Sequence, residues 1–273
     1  MKIAEALNLR GDADSYERQE AIWLLEYVIG MSALELKYRG EQDLTEDQVQ
    51  QYKSGLLRLE QGEPLAYVIG SQPFWTLDLK VTADTLVPRP DTEILVETVL
   101  NLDLPEQCSM VDLGTGTGAI ALALASERPQ WQVLATDIYL PTLQVAQENA
   151  QRHHLQQVKF ACGAWFDAIP AQKFDLIVSN PPYIDPEDEH MAQLGAEPLR
   201  ALVADEHGLA DLQTIVQHSV DWLNPKAWVV LEHGYDQGAA VRNIFANVGF
   251  IQIRTVQDYG QNDRVTLAQW LGK

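Results

Sequence analysis

The sequence predicts an α/β fold, in which a small all-helical N-terminal domain precedes a larger domain built on a mostly parallel sheet. Over residues 1–70, apolar side chains recur with helical spacing. From residue 89, strand-like and helix-like segments alternate, which is typical of a parallel sheet covered by helices on both faces. A glycine-rich turn, Gly114–Gly118, separates the first strand of this region from its helix. These three observations define the expected architecture.

The N-terminal domain is expected to span residues 1–70. Apolar residues between positions 22 and 29 share one face of a helix that Gly30 ends. The segments 32–35 and 45–48 each carry the serine or threonine and the glutamate or glutamine of a capping box, so two further helices are expected to begin there. We predict that these helices pack on one another and form a core of their own.

A linker is expected over residues 71–88. Apolar and polar residues alternate over 75–82, which predicts a strand. The segment Thr82–Thr85 has the composition of a turn, and residues 86–87 could begin a returning strand before Pro88. The sequence therefore predicts a β-hairpin between the helical domain and a larger domain over residues 89–273.

The larger domain is predicted to contain seven strands and four helices. The expected strands are 109–113, 131–136, 158–162, 174–179 and 228–231, with 250–254 and 265–268 as a closing antiparallel pair. The expected helices are 119–127, 142–152, 211–223 and 237–248.

Composition narrows the possible function. The 273 residues include 19 Lys and Arg against 39 Asp and Glu, so the formal net charge is −20. A protein that binds duplex nucleic acid through its phosphates usually has the opposite balance, so a direct nucleic-acid substrate is not expected. The two cysteines and six histidines form no metal-ligand spacing. Because no secretion signal and no apolar run of membrane-spanning length is evident, we expect a cytoplasmic protein without membrane association.

The glycine-rich turn and Asp137 predict a nucleoside site. Ligands of open α/β sheets bind beyond the carboxyl ends of the strands, and the turn Gly114–Gly118 lies there. Glycines let the backbone turn sharply and approach a ligand closely. Asp137 ends the second strand, where its carboxylate can accept both hydroxyls of a ribose. This pattern alone does not choose between a nicotinamide cofactor and S-adenosylmethionine.

The segment Asn180–Tyr183, Asn-Pro-Pro-Tyr, follows the fourth strand and should face the same crevice. An amide or aromatic amine is a poor nucleophile because its lone pair is delocalised. Two acceptors, the Asn180 side-chain oxygen and the Pro181 carbonyl, can hold its N–H groups and aim the nitrogen at a methyl group. The prolines stiffen the loop, and the Tyr183 ring can stack on a planar substrate. This favours methyl transfer to nitrogen.

The chain resembles the class I S-adenosylmethionine-dependent methyltransferases, whose fold is Rossmann-like, and more narrowly the HemK/PrmC family. The likeness covers nearly the whole chain. Besides the two site motifs, it rests on segments that look like the family's signatures, at 63–67, 88–93, 197–199, 231–234 and 258–265. This resemblance implies a peptide chain release factor N5-glutamine methyltransferase, which uses S-adenosyl-L-methionine and releases S-adenosyl-L-homocysteine.

The resemblance also implies roles for individual residues. The implied cofactor-binding residues are Gly114, Thr115, Gly116, Thr117, Gly118, Asp137, Trp165 and Asn180. The implied catalytic and substrate-binding residues are Asn180, Pro181, Pro182 and Tyr183. The implied partners are class I peptide chain release factors, methylated on the glutamine of a Gly-Gly-Gln loop, and the helical domain would help to recognise them. Ala164 departs from the family, which usually has an acidic residue there to accept from the adenine amino group; Asp167 or a backbone carbonyl could substitute.

Three alternatives stay open. An adenine-N6 methyltransferase of DNA or RNA shares the tetrapeptide, but it would need a basic groove and a base-flipping pocket. A nicotinamide-dependent oxidoreductase could use the glycine turn and would leave the segment 180–183 without a role. A non-catalytic binding module would tolerate the substitution Asn180→Ala.

Overall fold

The computed structural model describes residues 1–188 and 196–272. Its chain divides into two compact units, Met1–Ser71 and Gln72–Lys273. In the described part of the chain, no helix is long and apolar enough to cross a membrane, and no cluster of histidine, cysteine or acidic side chains could hold a metal ion.

The first unit is entirely helical. Its helices are α1 (Ile3–Ala6), α2 (Tyr16–Ile29), α3 (Ala33–Tyr38), α4 (Glu46–Glu60) and α5 (Leu65–Ile69). Gly30, with φ 71°, ends α2 in the left-handed conformation that glycine adopts without strain. Both predicted capping boxes are present, Ser32 with Glu35 and Thr45 with Gln48. The helix starts expected from the sequence are confirmed.

The apolar faces of these helices form one core. Tyr52 of α4 is fully buried in it, and its hydroxyl donates a hydrogen bond of 3.1 Å to the carbonyl of Ala6. Burial raises the pKa of this hydroxyl to about 12, so it stays protonated and keeps donating. The residues packed around it include Ile3, Leu24, Leu25, Leu36, Leu56 and Leu59.

A two-stranded hairpin follows, but its turn is not where the sequence analysis put it. The strands are β1 (Ser71–Phe74) and β2 (Leu77–Lys80), so the chain turns at Trp75, whose φ is 54°. The predicted turn, Thr82–Thr85, does close on itself through a hydrogen bond of 3.0 Å, but no strand follows it. The backbone N–H of Val87, expected to join a returning strand, donates instead to the Glu197 carboxylate.

The second unit contains a seven-stranded sheet. Its strands are β3 (Ser109–Leu113), β4 (Gln132–Asp137), β5 (Val158–Cys162), β6 (Phe174–Ser179), β7 (Leu223–Glu232), β8 (Ile251–Gln257) and β9 (Asp263–Gln269). They lie in the order β5-β4-β3-β6-β7-β9-β8. The first five run parallel to one another, and β9 pairs antiparallel with both β7 and β8. The predicted mostly parallel sheet with a closing antiparallel pair is confirmed.

Apolar clusters cover both faces of the sheet. Successive residues of a strand point to opposite faces, so Met110 belongs to one cluster and Val111 to the other. The first cluster includes residues of α6 (Glu93–Leu100) and α7 (Ala119–Glu127), and the second includes residues of α10 (Ala210–Ser219) and α11 (Gly238–Val248). The remaining helices are α8 (Leu140–Arg152) and the irregular turn α9 (Asp205–Gly208).

Helix α6 was not anticipated from the sequence. A short 3-10 turn, Pro90–Thr92, leads directly into it, and Ile94, Leu95 and Val99 are buried against the sheet. Its apolar residues are nearly continuous because most of its surface is covered, so the helical period is hard to recognise. This helix matters for function, because Thr92 at its start reaches the site described next.

Candidate active site

A pocket of about 330 Å³ opens at the carboxyl ends of β3, β4 and β6. Strand β3 lies between β4 and β6, so the chain order reverses here, and ligands of open α/β sheets bind at such a reversal. The predicted residues that line the pocket are Gly114, Thr115, Gly116, Thr117, Asp137, Trp165, Asn180 and Pro182. Gly118, Pro181 and Tyr183 are predicted residues outside this lining.

The glycine turn forms the floor of the pocket. Gly114, Gly116 and Gly118 have φ values of 70°, 58° and 86°, a region that other residues enter only with strain. A Cβ on Gly114 would make only ordinary van der Waals contact with the Trp165 ring, at 3.4 Å. The glycines at positions 114 and 116 are therefore required by the path of the backbone and not by lack of space above it.

Asp112, at the end of β3, supports the turn from below. Its Oδ2 accepts a hydrogen bond of 2.6 Å from the Thr115 hydroxyl, and its Oδ1 has no hydrogen-bond partner among the described residues. The side chain is fully buried, and this burial raises the pKa of the carboxyl to about 7. The turn therefore rests on a carboxyl group that is easily protonated near neutral pH.

Asp137, at the end of β4, is oriented by two backbone N–H groups. Its Oδ2 accepts from Gly116 at 3.1 Å and its Oδ1 from Tyr139 at 2.9 Å. Burial raises the pKa of this carboxyl, while the two N–H groups and Arg200 oppose the shift. Each oxygen of an ionised carboxylate can accept more than one hydrogen bond, so Asp137 keeps acceptor capacity for a ligand hydroxyl.

Trp165 and Ala164 form the wall beyond β5. Asp167, which the sequence analysis considered as a substitute acceptor, is exposed and does not line the pocket. Asp211 of α10 does line it. Burial and the nearby Asp205 raise the pKa of the Asp211 carboxyl, and a hydrogen bond from Trp165 partly opposes this rise. The sequence analysis missed this carboxylate because nothing near position 211 forms a motif.

The loop after β6 brings Asn180 and Pro182 to the pocket. Asn180 donates a hydrogen bond of 3.3 Å from Nδ2 to the hydroxyl of Thr92. The loop backbone is fixed at Tyr183, whose N–H donates to the Leu202 carbonyl at 3.2 Å and whose carbonyl accepts from Gln237 at 3.0 Å. The loop is thus held from three sides by residues far away in the sequence.

The Tyr183 side chain points away from the pocket lining. Its ring packs against the apolar cluster of α10 and α11, and its hydroxyl donates to Oε1 of Glu232 at 3.3 Å. Burial and the nearby Glu232 carboxylate raise the pKa of the hydroxyl. Stacking of this ring on a substrate therefore stays a prediction.

Two residues that sequence reasoning missed pack directly on the loop. Gly208 has φ 76°, and a Cβ built there would overlap the carbonyl of Tyr183. Gln237 donates from Nε2 to the carbonyls of Tyr183 and His207 at 3.0 and 3.1 Å, while its Oε1 accepts from the N–H of Gly234. Gly234 belongs to the segment 231–234, one of those that carry the resemblance. That segment does not indicate that Gln237 holds the loop after β6.

The pocket rim carries two arginines. The guanidinium carbon of Arg200 lies over the Tyr139 ring, 4.3 Å from the ring centroid. The same guanidinium donates a hydrogen bond of 3.0 Å to the Asp84 carbonyl. Arg89 is paired with the largely buried carboxylate of Glu197. These contacts hold the segments 84–89 and 197–200 at the pocket mouth.

The residues present fit S-adenosylmethionine. The cradle above Gly116 is open, since a Cβ there would meet nothing within 4 Å. The adjacent carboxylate of Asp137 suits ribose hydroxyls, and the pocket volume of about 330 Å³ lies in the range of small-ligand sites. Asn180 lies on the opposite wall, where the transferred group would meet its acceptor.

Comparison with known proteins identifies the family. Residues 90–201 match the methyltransferase small domain and residues 3–70 match the PrmC N-terminal domain. The release factor glutamine methyltransferase of Salmonella typhimurium is 46% identical over 270 residues, covering 98% of this chain and 97% of the relative. That of Escherichia coli K12 is 46% identical over 261 residues, covering 94% of each chain.

The fold is also found in solved structures. A methyltransferase from Pyrococcus furiosus aligns with a TM-score of 0.56 and 18% identity, covering 81% of this chain and 98% of that one. At this identity the likeness supports the fold alone, whereas the two relatives are similar over nearly their whole length. The chain belongs to the release factor glutamine methyltransferase family.

Proposed function

We propose that this chain transfers a methyl group from S-adenosyl-L-methionine to the side-chain amide nitrogen (N5) of the glutamine in the Gly-Gly-Gln loop of class I peptide chain release factors, and so modulates translation termination. The observation that carries the proposal is that Asn180 lines the same pocket as the glycine turn and Asp137. The proposed nucleoside site and the proposed amide-binding loop would therefore face each other. The names of the full-length relatives support this substrate.

On the substrate side, the glutamine amide would be held by two acceptors. The Nδ2 of Asn180 already donates to Thr92, and among the described residues its Oδ1 has no partner, so Oδ1 would accept one N–H of the substrate. The carbonyl of Pro181 would accept the other N–H. With both hydrogens held, the nitrogen lone pair is directed at one point, and alignment of this kind accounts for much of the rate enhancement in group transfer.

Pro182 and Tyr183 complete the proposed substrate site. Pro182 lines the pocket, and the two prolines restrict the backbone of the loop. Tyr183 is anchored through its N–H, carbonyl and hydroxyl, so its position relative to Asn180 is fixed. A preset loop loses less entropy when the glutamine binds.

On the cofactor side, we assign binding to Gly114, Thr115, Gly116, Thr117, Gly118, Asp137, Trp165 and Asn180. When bound, S-adenosylmethionine supplies an electrophilic methyl group on its sulfonium. Asp137 would hold the ribose, Trp165 would flank the adenine, and Gly118 would act by starting helix α7 with its positive φ. The departing amide proton needs no strong base, because it can leave to water once the nitrogen is alkylated.

The helical unit would recognise the release factor. Its exposed aromatic residues support this role, because Tyr16, Trp23 and Tyr27 lie on one face of α2. The rings of Tyr16 and Trp23 pack edge to face, with their centroids 6.4 Å apart. Exposed aromatic groups that lie together are typical of protein-binding surfaces. With the hairpin as a linker over residues 71–88, the chain would divide into a recognition domain (1–70) and a catalytic domain (89–273).

A nucleic-acid substrate is less well supported. The net charge of −20 opposes attraction to phosphates. A release factor substrate also implies a cytoplasmic reaction, because termination takes place on ribosomes there.

The test is to follow a labelled methyl group from S-adenosylmethionine. Four acceptors are supplied in parallel: a class I release factor, its Gln→Ala loop variant, adenine-containing DNA and adenine-containing RNA. We expect label on the unmodified factor alone, and fragment mass spectrometry should locate one added methyl on the loop glutamine. Label on the nucleic acid but not on the factor would contradict the proposal, and so would equal labelling of the Gln→Ala variant.

A further inference from the structure

We propose that Thr92 and Glu232 are positioning residues that set which end of the Asn180 side-chain amide faces the substrate. This inference rests on the function proposed above. It concerns a chain of polar groups behind the catalytic loop, running from Asn180 through Thr92 to Glu232. None of the residue roles implied by the resemblance includes Thr92 or Glu232.

The loop after β6 contacts the start of α6. Nδ2 of Asn180 donates to Oγ1 of Thr92 at 3.3 Å. Thr92 is 4% exposed and ends the short 3-10 turn, so bulk water does not compete for its hydroxyl. This hydroxyl is the one hydrogen-bond partner that the structure gives to the Asn180 amide among the described side chains.

The direction of the hydrogen bond between Asn180 and Thr92 depends on where the Thr92 hydroxyl hydrogen points. A threonine hydroxyl has one hydrogen to donate, whereas an ionised carboxylate can only accept. The Thr92 hydroxyl makes no hydrogen bond of ordinary geometry to Glu232, but it lowers the pKa of the Glu232 carboxyl, whose buried Oε2 has no other partner among the described residues and can accept the Thr92 hydrogen. If the hydrogen of Thr92 is directed to Glu232, only the lone pairs of Thr92 face Asn180. Asn180 must then present its NH₂ group to Thr92 and its Oδ1 to the pocket.

Glu232 is almost fully buried, with 1% of its surface exposed. Its Oε1 accepts from the Tyr183 hydroxyl at 3.3 Å, while its Oε2 has no partner of ordinary geometry among the described residues. Arg264 lowers the pKa of this carboxyl and Asp91 raises it, and Arg264 is itself paired with Asp258 at 3.1 Å. Burial is the largest effect and raises the pKa to about 7.

His233, the next residue along the chain, does not contribute a charge to this group. Its Nε2 is hydrogen-bonded to the Thr266 hydroxyl and its Nδ1 to the Gly234 carbonyl, both at 2.8 Å. Burial lowers the pKa of the imidazole, so it stays neutral at neutral pH. Among the described residues, the charged and titratable groups that act on Glu232 are Tyr183, Arg264 and Asp91.

The orientation of Asn180 then depends on the protonation of Glu232. When the carboxyl is ionised, it accepts from Thr92, and Oδ1 of Asn180 faces the substrate. When it is protonated, it can donate to Thr92, which frees the threonine hydrogen to donate to Oδ1 of Asn180. The NH₂ group of Asn180 then faces the substrate N–H and repels it, so that the loop keeps its shape but loses its acceptor.

The experiment compares Thr92→Val, which removes the hydroxyl at nearly constant shape, with Thr92→Ser, which retains it. Thr98→Val is the matched control, since it removes a buried hydroxyl from the same helix away from the pocket. Methyl transfer to the release factor and calorimetric binding of S-adenosylhomocysteine are measured on each variant. We expect Thr92→Val to lower kcat about 10-fold or more, with the dissociation constant changed less than about threefold.

Thr92→Ser and Thr98→Val are expected to keep kcat within about threefold of the wild type. The wild-type kcat should rise as the pH increases through about 7, because Glu232 ionises there, and Glu232→Gln should remove that rise. In an Asn180→Ala background, Thr92→Val should have no further effect on the residual rate, because Thr92 acts through Asn180.

Equal losses in Thr92→Val and Thr92→Ser would overturn the inference in favour of simple packing. So would an unchanged kcat in Thr92→Val, or a pH dependence that persists in Glu232→Gln. A wild-type chain that is inactive on the release factor would overturn the proposed function, and this inference with it. An active wild type with an unaffected Thr92→Val variant would overturn the inference alone.

Discussion

The two halves of the proposed site, a cofactor half (Gly114–Gly118 and Asp137) and a catalytic half (Asn180–Tyr183), are built in different ways. The cofactor half, after β3 and β4, is made of local backbone: three glycines at positive φ, and a carboxylate held by the N–H groups of Gly116 and Tyr139. The catalytic half, after β6, is held by side chains from elsewhere in the chain: Thr92, Glu232 and Gln237. Changes in one half should therefore affect cofactor binding, and changes behind the other half should affect transfer.

The largest effect is expected for Gly208→Ala. The new Cβ would overlap the carbonyl of Tyr183, and the residue would be strained at φ 76°. Because backbone cannot move aside as easily as a side chain, the catalytic loop should shift and transfer should fall about 100-fold or more, with cofactor affinity largely retained.

Gly249→Ala is the matched control, since Gly249 also has a positive φ, of 100°, and its Cβ would meet only the Trp270 ring at 4.0 Å. It should reduce stability by about 1 kcal/mol through strain and leave transfer unchanged. Equal transfer rates in the two variants would show that the close approach of Gly208 to the loop has no functional weight.

Asp137→Asn should weaken cofactor binding about 10- to 100-fold, because an amide offers one acceptor where the carboxylate offers two. The two backbone N–H groups that orient Asp137 would also lose one partner. At saturating cofactor the transfer rate should recover to within about threefold of the wild type. Titration calorimetry and single-turnover transfer distinguish the two effects, and a rate that stays low at saturation would contradict the division into halves.

Because Asp112 is buried beneath the glycine turn, we expect the folding stability of the chain to depend on pH. Burial raises the pKa of its carboxyl from the usual 3.8 to about 7, so between these pH values the folded chain keeps a proton that the unfolded chain releases. Stability therefore falls as the pH rises through this window and levels off above about 7. Between pH 5.5 and 8 the loss should be about 2 kcal/mol from this group.

Chemical denaturation of wild type and Asp112→Asn at both pH values checks this expectation. The variant has no carboxyl to titrate at this position, so its stability should change less between the two pH values, by about that amount. An identical pH dependence in the two chains would mean that Asp112 does not carry the shift.

Gln237→Ala should lower transfer less than Gly208→Ala does. It removes two donated hydrogen bonds and leaves the carbonyl of Tyr183 and the N–H of Gly234 without their side-chain partner. Such losses cost about 1–2 kcal/mol each, in part recovered by water at this half-buried position. We expect kcat to fall about 10-fold with unchanged cofactor binding. A weakened cofactor affinity with normal kcat would contradict the assignment of Gln237 to the catalytic half.

The residues that the sequence could predict are those whose structural role depends on their close neighbours in the chain. Gly114–Gly118, Asp137 and the segment 180–183 carry local signals, because a positive φ, a strand end or a pair of prolines constrains nearby residues. The parallel sheet was predictable for a similar reason, since its buried strands are short apolar runs between turns. In each case the physical requirement and the residue that meets it lie close together in the chain.

The parts that were missed depend on tertiary contacts. Thr92, Gly208, Asp211 and Gln237 reach the pocket or its loop only after folding, and each resembles an ordinary residue in its own segment. The hairpin turn was misplaced because Trp75 adopts a positive φ, which its side chain does not favour. Local patterns could not indicate these placements.

The decisive experiment for the proposed role of Asn180 is single-turnover methyl transfer by wild type and Asn180→Ala, with cofactor binding measured on the same preparations. We expect Asn180→Ala to lower transfer to the release factor about 100-fold or more, while cofactor affinity falls less than about 10-fold. Transfer that survives in Asn180→Ala would contradict the claim that this amide oxygen holds the substrate nitrogen.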